Sequence, residues 1–220
     1  SNRLGKISTG GMPASSGSIG LIMDESGSID GPSFQKMVDA VGRFLDNLPA
    51  GNPVSVTKFS DEVLYAQDFT EDKALLKSVV AARKFYGRTA LYDGVMESMA
   101  YLALQSGGNR MAIALTDGHD NASGRTPDDL IAFAKSNEIT IYSVFVSSIG
   151  SQAPAELRRI AESTGGKLIQ VDGFDGVEGG LQTTLSLINR RFVNFNLWYI
   201  PASGGDAKQL TDDIADDLYP

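Results

Sequence analysis

The sequence predicts an α/β fold: a doubly wound, mostly parallel sheet with helices on both faces and one short antiparallel edge strand. Three observations predict it. Five short runs, IGLIM (19–23), PVSVTKF (53–59), MAIALT (111–116), ITIYSVFV (139–146) and KLIQV (167–171), are mostly near-continuous and apolar, as strands buried on both faces are. Stretches between them carry apolar residues at helical spacing. Strand and helix alternate along the chain, the order that builds a parallel sheet covered on both sides.

Taken in order, residues 1–18 (SNRLGKISTGGMPASSGS) are rich in Gly and Ser without an apolar period, and read as a mobile arm or linker. After the first strand, Phe34, Met37, Val38, Val41, Leu45 and Leu48 share one helical face. Residues 62–69, EVLYAQDF, follow the second strand across only Ser60 and Asp61, a spacing that suits a tight antiparallel return. Leu91, Val95, Met99 and Leu102 mark the next helix. Helices at Thr126-Pro127 and Ala153-Pro154 open with Pro at or beside the first turn, and Gly165-Gly166 closes the second of them. Val177, Leu181, Leu185 and Ile188 predict a last helix, and FVNFNLWYI (192–200) a further strand ended by Pro201. The boundaries that follow are an arm at 1–18, one domain at 19–200 and an acidic tail or linker at 201–220. No internal repeat is visible.

With 220 residues the chain is long enough for a sizeable core. Its 19 basic and 27 acidic residues give 19 − 27 = −8, which argues against nucleic acid or an anionic membrane surface as partner. Half of that charge lies in residues 206–220, where Asp206, Asp212, Asp213, Asp216 and Asp217 face a single Lys208. The absence of Cys excludes disulfides, thiolate metal sites and a Cys nucleophile. One histidine, His119, excludes a multi-histidine zinc site within the chain. No apolar run approaches the ~18–20 residues that span a bilayer, so no direct membrane insertion is expected of this segment.

In doubly wound sheets ligands bind beyond the carboxyl ends of the strands. Three polar loops stand there or just before a helix: Asp24-Glu25-Ser26-Gly27-Ser28, Gly87-Arg88-Thr89-Ala90 and Thr116-Asp117-Gly118-His119-Asp120-Asn121. Hydroxyls with a few carboxylates suit a hard cation: Mg²⁺, with Mn²⁺ or Ca²⁺ as substitutes. An EF-hand is excluded, because Ile29 stands where that loop needs Gly and Gln35 where it needs Glu. The competing readings are structural. The serines could form a capping turn, Thr89 could cap the helix that follows, and Asp117 could be a turn residue before Gly118.

The words LIMDESGSI, GRTALYDGV and ALTDGHDN, in this order on an alternating β/α pattern, resemble the von Willebrand factor type A domain and its metal-ion-dependent adhesion site. The resemblance covers about residues 19–191. It implies that Ser26, Ser28 and Thr89 offer hydroxyls to a metal, and that Asp24 and Asp117 act directly or through water. It also implies strand order 3-2-1-4-5-6. LYDGV and TDGHDN are more similar to microbial members of the family than to animal integrin-type domains.

Two carboxylates balance a divalent ion, and an octahedral ion with few anionic ligands still attracts one more. With this, the resemblance implies a module for adhesion or assembly that binds an unidentified protein partner through its Asp or Glu. An alternative is a cytosolic module working with an AAA+ ATPase. The adhesion reading favours a cell-surface or secreted location over a cytoplasmic one. Catalysis is not expected: a nucleophilic Ser would have only His119 as imidazole, and no G-x-S-x-G or phosphate-binding Gly motif is present. A Mg²⁺-dependent hydrolase with Asp24 as nucleophile is the remaining enzymatic alternative. Around the site, Glu25 is expected to point elsewhere and charge the rim. Asp93 is expected to orient the Thr89 loop, Asp120 to hold its own loop or be solvated, and His119 to be exposed.

Overall fold

The computed structural model describes residues 17–84, 86–106, 108–148, 152–192, 198–199 and 208–209. Six strands form one sheet: β1 (Gly17–Asp24), β2 (Val54–Phe59), β3 (Val63–Thr70), β4 (Asn109–Thr116), β5 (Ile139–Ser147) and β6 (Leu168–Asp172), in the order β3-β2-β1-β4-β5-β6. Every neighbouring pair is parallel except β2–β3, so the edge strand expected over 62–69 is present and antiparallel. The central strands β1, β2 and β5 are buried at every residue, which is why they read as apolar runs and not as alternation.

The helices are α1 (Gly31–Asn47), α2 (Lys73–Ala81), α3 (Leu91–Ala103), α4 (Pro127–Ser136), α5 (Ala155–Ser163) and α6 (Val177–Phe192). Helix α1 buries Phe34, Met37, Ala40, Val41, Phe44 and Leu45. Thr126 and Asp129 close a capping box on α4, with Pro127 in its first turn. Helix α2 has no counterpart in the sequence reading. It has nine residues and buries only Leu76 and Val80, too little for a helical period to stand out; its one local sign is Asp72, whose side chain accepts from the amides of Ala74 and Leu75.

Helix α3 lies close on the sheet because two glycines permit it. A Cβ on Gly94 would fall 2.9 Å from the Phe59 ring of β2, and one on Gly20 of β1 would collide with the Ser98 hydroxyl. Ile22, Phe59, Leu91, Val95, Met99 and Leu102 make the core on this side. The start of α3, and with it the Thr89 loop, is thereby held over the carboxyl ends of β1 and β2.

The chain divides into two units, Ser16–Ser186 and Ser1–Ser15 with Leu187–Pro220. Strand β1 begins at Gly17, so residues 17 and 18 of the expected arm are sheet; residues 1–16 lie outside the described residues. Of the run at 192–200, Phe192 ends α6, and Trp198–Tyr199 (β7) pairs antiparallel with Lys208–Gln209 (β8) in a separate two-stranded sheet. Otherwise the acidic tail lies outside the described residues. Among the described residues no helix is long and apolar enough to cross a membrane.

Candidate metal centre

Strand register sets the centre. Met23 pairs with Leu115, so Asp24 and Thr116 are the next residues on adjacent strands, at the switch point of the sheet. Asp24 is fully buried. One of its carboxylate oxygens accepts from the Ser26 amide at 2.7 Å and the other from the Thr116 hydroxyl at 2.6 Å. The first bond turns the chain at the end of β1 and brings the Ser26 and Ser28 hydroxyls to 3.2 Å from one another. The Ser28 hydroxyl donates to the Asp117 carboxylate at 2.8 Å, joining the first loop to the third.

Thr89 comes in from the second loop and is buried. Its amide donates to the Asn121 side chain at 2.9 Å, and its carbonyl accepts from the amides of Asn121 and Ala122. Its hydroxyl lies 3.4 Å from where a Cβ on Gly118 would stand, beside Asp117. The first and second loops are joined by the bond from the Gly27 amide to the Gly87 carbonyl at 2.9 Å. The structure thus brings Asp24, Ser26, Ser28, Thr89 and Asp117 into one place from three loops.

The capping alternatives for the serines and for Thr89 do not hold. Helix α1 is capped by Asp30, which accepts from the Ser33 amide, and not by the serines. The residue before α3 is Ala90, without a side-chain cap, so Thr89 does not cap that helix.

The expectation for Glu25 is overturned: its side chain does not charge the rim but is fully buried against Lys58, which is 1 % exposed, at 2.8 Å. The cause is local. Glu25 donates its amide to the Phe59 carbonyl as the sheet continues, which turns its side chain inward, where the Lys84 amide and Lys58 receive it. A lysine within the apolar run VSVTKF was the available sign that a buried carboxylate lay near. Asp93 accepts from the amides of Gly124 and Arg125 and so holds the far end of the third loop. Asp120 holds the same loop through the Ser123 hydroxyl and amide, and reaches the Tyr92 amide of α3. His119 is exposed. Thr116 and Asn121 lock Asp24 and Thr89, and in the sequence nothing but their place in the third loop marks them.

Burial pushes the Asp24 carboxyl up to about 6, against the hydrogen bonds from Ser26 and Thr116, and nearby Asp117 adds to the rise. Burial also raises Asp117, with the Ser28 bond opposing it. Two carboxylates converging where each resists ionisation form a place that a cation would relieve. Among the described residues no group of three or more His, Cys, Asp or Glu is placed to hold a metal. This centre is of another make, two carboxylates and three hydroxyls, and an all-oxygen set fits a hard divalent ion.

A Rossmann-like sheet in this strand order with this centre at its switch point defines a known class of domain. The model of the von Willebrand factor type A domain family matches residues 18–183, and the chain belongs to that family. Among solved structures, proximal thread matrix protein 1 from the mussel byssus, with a zinc-occupied MIDAS motif, is 23% identical over 80% of this chain, at a TM-score of 0.68. A von Willebrand factor type A protein from Catenulispora acidiphila is 21% identical over 84% of this chain and 44% of its own, at 0.67. The vWF domain of the type V pili tip protein Mfa5 from Porphyromonas gingivalis is 12% identical over 81% of this chain and 97% of its own, at 0.66. The chain spans about half, 46%, of the mussel structure's length. A search of curated protein sequences finds no match.

Proposed function

We propose that the domain is a protein-binding module of adhesion or assembly type, and not an enzyme. It docks an Asp or Glu of a partner protein onto a divalent cation held by Asp24, Ser26, Ser28, Thr89 and Asp117, with Mg²⁺ as the ion and Mn²⁺ or Ca²⁺ as substitutes. The carrying observation is the 2.8 Å bond from Ser28 to Asp117, which closes an all-oxygen cluster across the two adjacent strand ends. Two carboxylates cancel the ion's charge on paper, hydroxyls add dipoles only, and a further anionic ligand remains favourable. The zinc-occupied MIDAS motif of the mussel protein supports a cation at the equivalent place, and the pili tip domain supports an adhesive role.

The burial of Asp24, with both oxygens hydrogen-bonded, argues against its use as a nucleophile. Pull-down from native extracts in Mg²⁺ or Mn²⁺, repeated with chelator and with Asp24→Ala, tests the reading. Partner capture that survives both treatments would end the metal bridge. Turnover of a generic phosphate ester with Mg²⁺ would instead support the hydrolase.

A further inference from the structure

Arg83 lies in the segment between α2 and the Thr89 loop, and its guanidinium is built into the back of the first loop. Its Nη2 donates to the carbonyl of Ile29 at 2.6 Å, of Ser26 at 3.3 Å and, at 3.5 Å, of Glu25. The guanidinium carbon sits 4.9 Å from the centre of the Phe34 ring and 4.1 Å from that of Tyr86. Nε and Nη1 are buried with no hydrogen-bond partner among the described residues. Two aromatic faces and one nitrogen therefore hold the group, a planar fit that an ammonium cannot reproduce in full. Tyr86 contributes although it is 72% exposed.

The three carbonyls belong to the stretch that carries Ser26 and Ser28. Backbone carbonyls are the ligands that Ca²⁺ sites recruit to reach six to eight oxygens, whereas Mg²⁺ demands a compact octahedron. Here a fixed cation occupies them.

We infer that Arg83 is a positioning residue that sets ion selectivity: it holds the first-loop carbonyls away from the metal centre and leaves Ser26 and Ser28 to meet the ion by their hydroxyls alone. The inference rests on the metal reading above and goes further, assigning a preference for the smaller ion to a residue that does not touch it. Neighbours that orient a metal site commonly change affinity by about 10- to 100-fold when removed.

The experiment uses the full chain and its Arg83→Met and Arg83→Lys variants. Mg²⁺ and Ca²⁺ are titrated separately by calorimetry, and amide exchange at Gly27 and Ile29 is followed by NMR in chelator. Arg83→Met is expected to lose about tenfold or more in Mg²⁺ affinity with Ca²⁺ affinity held or increased, and to exchange both amides faster. Arg83→Lys, which keeps a donor and the charge, is expected to recover part of each change. An unaltered Mg²⁺ to Ca²⁺ ratio in a folded Arg83→Met protein, or a Lys variant no better than Met, overturns the assignment while leaving the metal centre standing. Failure of the unsubstituted chain to bind either ion overturns the metal reading and the selectivity with it; the exchange rates then still report whether Arg83 holds the loop. If Arg83→Met does not fold, Tyr86→Ala, which removes one face of the sandwich, must shift the ratio in the same direction, and no shift overturns the proposal.

Discussion

Asp24 is the residue at which folding and the proposed function pull in opposite directions, and Asp24→Asn separates them. Its carboxyl is raised from 3.8 to about 6 by burial. The folded protein therefore binds this proton more tightly than the unfolded chain does. The resulting stability is fully present below about pH 4 and is lost as pH rises through about 6. At about 1.4 kcal/mol per pH unit, the gap amounts to about 3 kcal/mol lost by pH 7.

Asparagine keeps the oxygen that accepts from the Ser26 amide and carries no charge. Its NH₂ faces the Thr116 hydroxyl, which already accepts from the Gly118 amide and has a second lone pair to offer. In chelator, urea unfolding of the two proteins should give similar stability near pH 4, and Asp24→Asn the more stable protein at pH 7 by up to about 3 kcal/mol. Addition of Mg²⁺ at pH 7 should reverse the order, since an ion at about 1,000 times its Kd adds about 4.1 kcal/mol to the protein that binds it. A difference between the two proteins that does not change with pH in chelator would refute the reasoning about the buried charge. A Mg²⁺ effect of equal size in both would refute the role of Asp24 as ligand.

Other outcomes follow from the same geometry. Ser28→Ala or Thr89→Ala should weaken Mg²⁺ by about tenfold or more in calorimetry while shifting stability in chelator by about 1 kcal/mol or less, because neither hydroxyl caps a helix. Lys58→Met strands the Glu25 carboxylate in the interior and should cost about 3–5 kcal/mol in urea unfolding, much of it restored by adding Glu25→Gln. Gly94→Ala forces the Phe59 ring aside and should cost about 1–3 kcal/mol. Thr126→Ala removes one half of the α4 capping box and should cost about 1 kcal/mol without touching metal affinity.

The strands and the residues of the candidate site were legible in the sequence because both rest on local patterns; strand order was implied only by the resemblance of the three loop motifs to a known family. Buried strands appear as apolar runs, and the proposed cation ligands appear as short oxygen-bearing residues after them. What escaped depends on partners distant in sequence. Glu25 and Lys58 stand 33 positions apart (58 − 25); the apolar run around Lys58 implies a buried carboxylate but does not say which one. Arg83 reads as one base in a basic stretch, and only the folded chain shows three carbonyls converging on it. Thr89 invited a capping role because it stands just ahead of a helix; the helix begins one residue later than that role requires. Helix α2 escaped because two buried side chains do not make a period.

The dispersal of the centre over three loops bears on how the domain is made. Asp24 and Asp117 lie 93 positions apart (117 − 24), and they meet only after β4 has been laid beside β1. A nascent chain, or a fragment ending before β4, holds at most the Ser-x-Ser turn and Thr89, with one carboxylate. Under the proposed function, an ion seated there with both carboxylates certifies that the middle of the sheet has closed, and partner capture waits until synthesis and folding have passed that point.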